Sequence, residues 1–451
     1  MSFCRGWGMR EVLVKNEEFK DSPLGKIPKD WDVVNLGSVL TLLYRYPTYY
    51  GIKYVEKGVP EIRGELILDD GRLEERFELY RYVSESTANR FHKVKLEPGD
   101  FVMSVRGTMG KVSVVPDALK GAVITANLIR IQFNQLLVLS QYARHFLSSD
   151  IFQNQLDLET SATTIKTIQV PVLSSIILRL PPIPEQQRIA EILDTVDEAI
   201  ARTSSLIIKL KQTKAGLLQD LLTRGLDENG KLRDPQAHPE HFKDSLLGKI
   251  PKDWEVGTCE SVCKEIVVGI VIRPSQYYKP SGVPVLRSAN VREAGLDPSD
   301  LVFMSEQSNR ILAKSMIRTG DVLTVRTGYP GTSCVVSPDF DGANCVDIII
   351  SRPSAEIDSA FLATWINSDS GKGQVLRVQG GLAQQHFNVG ELQKLLIAKP
   401  SIEKQRAIQA ILDTHDTRIR AEEAYLNKLK LQKQGLMQDL LTGKVRVSTI
   451  R

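Results

Sequence analysis

Two copies of one thirteen-residue segment constrain this chain more than any other feature. Phe19 to Trp31 reads FKDSPLGKIPKDW and Phe242 to Trp254 reads FKDSLLGKIPKDW, twelve identities in thirteen positions at an offset of 223. A second pair closes each half: Pro181 to Thr223 (PPIPEQQRIAEILDT…KLKQTKAGLLQDLLT) aligns without gaps on Pro400 to Thr442 (PSIEKQRAIQAILDT…KLKLQKQGLMQDLLT) at an offset of 219. A chain that repeats its ends so faithfully folds as two related halves. Between the ends the likeness is faint, limited to points such as Gly58-Val59-Pro60 against Gly282-Val283-Pro284, Gly99-Asp100 against Gly320-Asp321, and Val105-Arg106 against Val325-Arg326. The kept ends point to one partner met twice, and the diverged middles to two different targets; faster drift of loops is the plainer alternative.

Each closing repeat predicts one long helix. From Ile189 the seam positions step by four and three through Leu193, Val196, Ile200, Thr203, Ile207, Leu210, Lys214, Leu217 and Leu221, and again from Ile408 through Leu412, His415, Ile419, Glu422, Leu426, Leu429, Lys433, Leu436 and Leu440. That period is a left-handed coiled coil. The apolar seam residues, Ile189, Leu193, Ile200, Ile207, Leu210, Leu217, Ile408, Leu412, Ile419, Leu426, Leu429 and Leu436, are the candidate subunit interface. The polar ones weaken a simple two-helix core, and Lys214 and Lys433 are read either as register-setting or as reaching solvent. Proline before each helix (Pro181-Pro182-Ile183-Pro184, Pro400) and glycine after it (Gly225, Gly443) mark the ends. Ile189 to Leu221 would span about 50 Å as helix, roughly one and a half turns of B-DNA. Two such helices pair antiparallel if the chain returns after each half, which implies a pseudo-twofold.

The remaining sequence reads as short strands broken by turns, with short helices at Ser140 to Ser148 and Ser359 to Asn367, so the fold class is α+β. A length of 451 residues calls for several domains, and no apolar run approaches the roughly 18 residues of a membrane span. Net charge +4 permits nucleic-acid binding without requiring it. Five scattered cysteines, Cys4, Cys259, Cys263, Cys334 and Cys345, fit neither a disulfide framework nor a zinc site and suit a reducing cytoplasm. Met1 to Arg10 lacks the apolar stretch of a signal peptide. The polar stretch Asp227 to Lys243 has the composition of a flexible connection. His238-x-x-His241 within it, with no ligand cluster nearby in sequence, reads as solvated chain, and no metal site is expected.

Base-edge readers need bidentate donors or amides on loops, flanked by phosphate-binding groups. In the first half the candidates are Arg45 (with Tyr46), Arg63, Arg106, Thr108, Lys111, Thr163, Thr164 and Lys166. In the second they are Arg273 (with Tyr277), Arg287, Asn290, Arg326, Tyr329, Gln384, Gln385 and His386. Arg63/Arg287 and Arg106/Arg326 sit at matching places, whereas Thr163, Thr164 and Lys166 lie opposite Leu382, Ala383 and Gln385. Catalytic signatures are missing: no methyltransferase cofactor or Asn/Asp-Pro-Pro-Tyr loop, no phosphate-binding Gly-x-x-x-x-Gly-Lys-Ser/Thr loop, no clustered nuclease carboxylates with lysine.

The repeated FKDS-x-LGKIPKDW entry, the exits into EQQRIAEILDT and EKQRAIQAILDT, and the terminal GLLQDLLT and GLMQDLLT together resemble the specificity subunits of Type I restriction-modification systems, over nearly the whole chain. The resemblance implies two globular α/β target-recognition domains joined by two long antiparallel coiled-coil spacer helices. Residues 1–18 are then an N-terminal extension, 19–183 target-recognition domain 1, 184–224 spacer helix 1, 225–241 a linker, 242–402 target-recognition domain 2, 403–443 spacer helix 2 and 444–451 a tail. It further implies a non-catalytic chain that reads a split, asymmetric sequence in double-stranded DNA and docks two methyltransferase subunits, with restriction subunits joining. S-adenosylmethionine, ATP and Mg²⁺ belong to those partners, and none to this chain. A specificity subunit serving a fused methyltransferase-endonuclease, a stand-alone DNA-binding protein and a coiled-coil adaptor are the rival readings.

Overall fold

A computed structural model describes residues 19–45, 52–90, 92–160, 167–379 and 386–447. The chain divides into two compact units, one of residues 1–204 with 424–451, the other of residues 205–423. Each unit therefore combines one globular half, the start of the long helix that leaves it, and the end of the other long helix.

In the first unit the entry motif folds as a hairpin, Phe19–Ser22 against Gly25–Pro28. Gly25 takes a left-handed φ of 84°, and Ser22 closes the turn by donating to the Gly25 carbonyl at 2.6 Å. The hairpin delivers Trp31, fully buried, to the core that also holds Ile189 and Leu193 of the first long helix and Met437 and Leu440 of the second. An antiparallel sheet orders Leu40–Arg45, Leu128–Phe133, Phe101–Ser104 and Val112–Val114, and its central strand Phe101–Ser104 is buried throughout, so it is apolar on both faces. A second sheet orders Val123–Ile124, Val59–Ile62, Arg81–Val83 and Tyr54–Val55, with a parallel pairing between the first two.

The second unit repeats this topology strand for strand. Cys263–Val268, Ile348–Pro353, Val322–Val325 and Ser333–Val335 form the first sheet, and Asn344–Cys345, Val283–Leu286, Val302–Met304 and Tyr278–Lys279 the second, again with one parallel pair. The middles that share so little sequence thus share a fold. The faint Gly-Asp matches have a physical reason: Gly99 and Gly320 turn at φ of 87° and 88°, and each following aspartate is buried. Asp100 accepts from the Glu97 amide and from Arg130 Nε, both at 2.7 Å, while Asp321 accepts from the Arg318 amide at 2.9 Å with Arg352 Nε 3.8 Å away.

Both long helices form, Ile183–Thr223 and Ile402–Leu440, of 41 and 39 residues. Pro184 sits in the first turn, where a missing N–H costs nothing. Gly225 and Gly443 follow the ends at φ of 65° and 73°, and a Cβ on either would come within 2.6 Å of Trp254 or of Pro28 respectively. The shorter helices appear as Ser140–Leu147 and Ser359–Asn367.

In each unit the two long helices run antiparallel. In the first, Asp197 meets Lys433 at 2.6 Å and Glu185 meets Arg446 at 2.8 Å; in the second, Lys214 meets Asp416 at 2.6 Å and Lys211 meets Glu423 at 2.7 Å. Lys214 and Lys433 therefore neither fill a seam nor reach free solvent. Each closes an ion pair with the aspartate of the opposite helix, and because 197 and 416, like 214 and 433, differ by 219, one pair has been copied into the other. At 23–33% exposure each pair contributes about 0–1 kcal/mol, so its value lies in register more than in stability.

The seam assigned to a subunit interface needs correction. Ile189, Leu193 and Leu429 in the first unit, and Ile207, Leu210, Ile408, Leu412 and Ile419 in the second, are buried within this chain, and Leu436 and Leu217 pack against those cores. Ile200 and Leu426 are half-buried. An apolar seam packed inside its own chain offers little to another. The connection after Gly225 is not a flexible tether either. Leu226 is buried and bridges Leu232, Arg233 forks onto Asp253, and Pro239–His241 forms a 3-10 turn. Its polar composition reflects side chains facing water from a backbone that is pinned.

Candidate nucleic-acid interface

The candidate residues gather mainly on the loops that leave the two sheets. In both units the strand of the Gly-Asp motif runs into a loop framed by two left-handed glycines: Arg106 to Gly110, with Gly107 and Gly110 at φ of 76° and 79°, and Arg326 to Gly331, with Gly328 and Gly331 at 91° and 87°. In the first unit Ser104 Oγ donates to the Thr108 carbonyl and accepts from the Lys111 amide at 3.0 Å, which fixes the loop on its strand. Thr108 is left exposed at the tip; Tyr329, 79% exposed, takes the corresponding place in the second.

The electrostatics of the two loops differ. Arg106 is exposed and makes no hydrogen bond or ion pair among the described residues. Its neighbour Arg45, at the end of the strand Leu40–Arg45, donates weakly to the Ala126 carbonyl at 3.4 Å, and burial followed by repulsion from Arg106 holds its pKa below the ordinary guanidinium value. Two cations facing each other favour an anion. Arg326 is instead tied to Asp347 at 2.5 Å and donates through Nε to the Phe387 carbonyl at 3.2 Å. Thr327 donates to Asp347 at 3.0 Å and lies 3.4 Å from His386 Nδ1, so His386 joins this loop. Lys111 pairs with Asp69 at 2.5 Å.

Arg63 and Arg287 share one structural job. Each precedes a 3-10 turn in extended conformation, with its Nε buried and without a hydrogen-bond partner among the described residues. Arg63 donates to the Leu79 carbonyl at 2.9 Å and pairs with Glu65; Arg287 donates to the Asp300 carbonyl at 2.5 Å and to its carboxylate at 2.9 Å. The same clasp in both halves holds a loop and cannot distinguish two targets. Asn290 is 2% exposed, accepts from the Arg287 amide, and donates to the Asp297 and Ser299 carbonyls at 3.0 and 2.8 Å. Its amide has no donor left for a base edge, which corrects its place among the readers. Arg273 stands apart at φ of 42°, left-handed although not glycine, between exposed Ile272 and Pro274. Strain of this kind gathers at working sites. Thr163, Thr164, Lys166, Gln384 and Gln385 lie outside the described residues, though both stretches rejoin beside these loops, where the Ile168 amide donates to the Val105 carbonyl and the Phe387 amide to that of Arg326.

The sequence reading missed two features. Asp347, which governs Arg326, stands 21 residues away across a strand. Glu61, 2% exposed and with its carboxyl pKa pushed up by burial, lies in register opposite Arg81, where the second unit places Val285 opposite Val302. A glutamate where the repeat has valine was the available signal.

The chain is thus a duplicated α+β scaffold with two long helices and arginine-bearing loops, and it is similar to known proteins over most of its length. Residues 28–212 match the Type I restriction modification DNA specificity domain. The chain is 24% identical to the Type I restriction enzyme MjaVIII specificity subunit of Methanocaldococcus jannaschii, over 97% of this chain and 98% of that one. It is 26% identical to the EcoKI specificity subunit of Escherichia coli K12 over 67% of this chain and 62% of that one. Among solved structures, its fold resembles a chain from a study of assembly and conformational transition in a type I R-M system (TM-score 0.58, 18% identity, 92% and 99% coverage). It also resembles the S subunit of M. genitalium (0.51, 16%, 91% and 96%). Residues 28–212 thus carry the pattern of that DNA specificity domain, and nearly the whole chain is similar to a Type I specificity subunit.

Proposed function

We propose that this chain reads a bipartite, asymmetric sequence in double-stranded DNA, one half-site per globular half, and docks two methyltransferase subunits, with restriction subunits joining the larger complex. The observation that carries it is the pairing of one scaffold with two loop chemistries: Arg106, unpaired among the described residues, beside Arg45 in the first half, and Arg326 locked by Asp347 and flanked by Tyr329 and His386 in the second. Thr163, Thr164, Lys166, Gln384 and Gln385 complete the readers in this proposal, and Arg273 extends the second. The relatives' names support a recognition role. S-adenosylmethionine would be held by the methyltransferase subunits, ATP and Mg²⁺ by the restriction subunits, all in the cytoplasm. Since the seam is buried, docking would use outward side chains of the long helices such as Ile208, Tyr425 and Leu431.

The purified chain with its methyltransferase should protect two short tracts separated by a gap of fixed length, read by footprinting; a single continuous tract would sink the proposal. Removing one heptad from each long helix should change the tolerated gap, because about 10 Å of helix is lost from each. An unchanged gap would mean that the helices do not set the spacing.

A further inference from the structure

We infer that His238, Glu240 and His241 form a binding site for a divalent transition-metal ion such as Zn²⁺. The sequence offers His-Pro-Glu-His in a polar connection, which alone says little. The fold changes that. His238 Nδ1 lies 3.1 Å and His241 Nε2 3.7 Å from the same Glu240 oxygen, and the two imidazoles stack at 5.0 Å between centroids. All three ligand atoms fall within 4.8 Å of one another. Two imidazoles and one carboxylate are donors that suit Zn²⁺, Co²⁺ or Ni²⁺ and disfavour Mg²⁺ or Ca²⁺.

The backbone holds these donors together before any ion arrives. Asp234 accepts from the Gln236 and Ala237 amides at 2.8 and 3.2 Å, the His238 amide donates to the Asp234 carbonyl at 3.0 Å, and the Lys252 amide donates to the His241 carbonyl at 2.8 Å. Side-chain exposure of 55–60% leaves the rings free to rotate their lone pairs onto a shared ion and leaves coordination positions for water or for a donor from another molecule. Charge separates this cluster from the other group of the same kind among the described residues, His145 with Asp194 and Asp197. There Arg144 and Lys433 already sit on the carboxylates, so a cation would have to displace them. Among the described residues Glu240 forms ion pairs with the two histidines alone, and with neutral imidazoles the cluster carries one negative charge.

Titrating the untagged full-length chain with Co²⁺, followed by Zn²⁺ displacement, tests the site without reference to DNA. A single equivalent of Co²⁺ should bind with a visible absorption band, and the ring proton signals of His238 and His241 should broaden selectively in the unaltered chain. His238→Ala and His241→Ala should each weaken binding on the order of tenfold or more, and Glu240→Gln by less. Absence of binding, or binding that survives the double histidine replacement or broadens His145 instead, overturns the assignment. Target reading is scored separately by footprinting, so either idea can fail alone.

Discussion

The loop arginine of the first half faces solvent with another arginine as its neighbour, whereas the arginine at the same place in the second half is fastened to an aspartate and a carbonyl. Duplication has kept what carries the fold: the buried Trp31 and Trp254, the buried Asp100 and Asp321, and the copied ion pairs Asp197–Lys433 and Asp416–Lys214. What differs is charge at the loops. An unpaired cation pair binds anions and responds to salt; a guanidinium held in a fixed fork presents its remaining donors in one orientation, as base reading demands. On the proposed reading, the Arg106 loop would supply attraction and the Arg326 loop discrimination, within two halves that each read a half-site on one shared backbone.

The largest effect that tests this division concerns the scaffold. Trp31→Ala and Trp254→Ala should each cost about 3–5 kcal/mol in denaturant unfolding, because both rings are fully buried. The replacements by Phe should part company. Trp31 Nε1 donates to Glu185 at 2.8 Å, but Trp254 Nε1 has no partner among the described residues, since the residue matching Glu185 is Lys404, a donor that turns to Asp253 at 2.7 Å. Trp31→Phe should therefore cost about 0.5–1.5 kcal/mol more than Trp254→Phe. Equal costs would mean that the two cores are equivalent despite the swap.

Next come the loops themselves. Arg326→Ala should lose about 1–3 kcal/mol on the cognate second half-site and little on other sequences, which quantitative binding to variant sites would measure. Arg106→Ala should instead weaken binding on every sequence and make the salt dependence shallower by about one counterion. Reversed results would exchange the roles of the halves. Asp347→Asn sharpens the test, because it frees Arg326 without removing it and should make the second half resemble the first.

Much of this was legible in the sequence, and what was hidden has a common cause. The repeat, the two long helices, their glycine ends and the α+β class follow from local patterns, because periodicity and cap residues act over a few positions. The ion pairs of Lys214 and Lys433 were hidden because their partners stand 202 and 236 residues away, and only antiparallel packing inside each unit brings them together. The seam was read as an interface for the same reason: a heptad shows that something packs there without saying what. Asn290 looked like a reader because its amide suits adenine, and only the fold shows that amide already spent. The connection after Gly225 misled because composition reports exposure of side chains, not freedom of the backbone.

The smallest predicted effect concerns acidity and separates the units once more. His145 is buried in the first unit with Nε2 2.6 Å from Asp194, and the second unit has Thr364 in its place, bonded to Gln409 at 3.0 Å. Burial first, and Arg144 second, lower the His145 pKa below its ordinary value, against the opposing pull of Asp194 and Asp197. A native state that resists protonation loses stability where the unfolded chain gains the proton, so the first unit should weaken as pH falls below about 6.5 and go on weakening until the lowered native value is passed. His145→Thr, which installs the second unit's residue, should flatten that dependence, read as the unfolding midpoint against pH between about 7 and 5. If the unaltered chain instead grew more stable over that interval, the carboxylates would outweigh burial, and His145 would be a charged member of the cluster that Lys433 and Arg144 share.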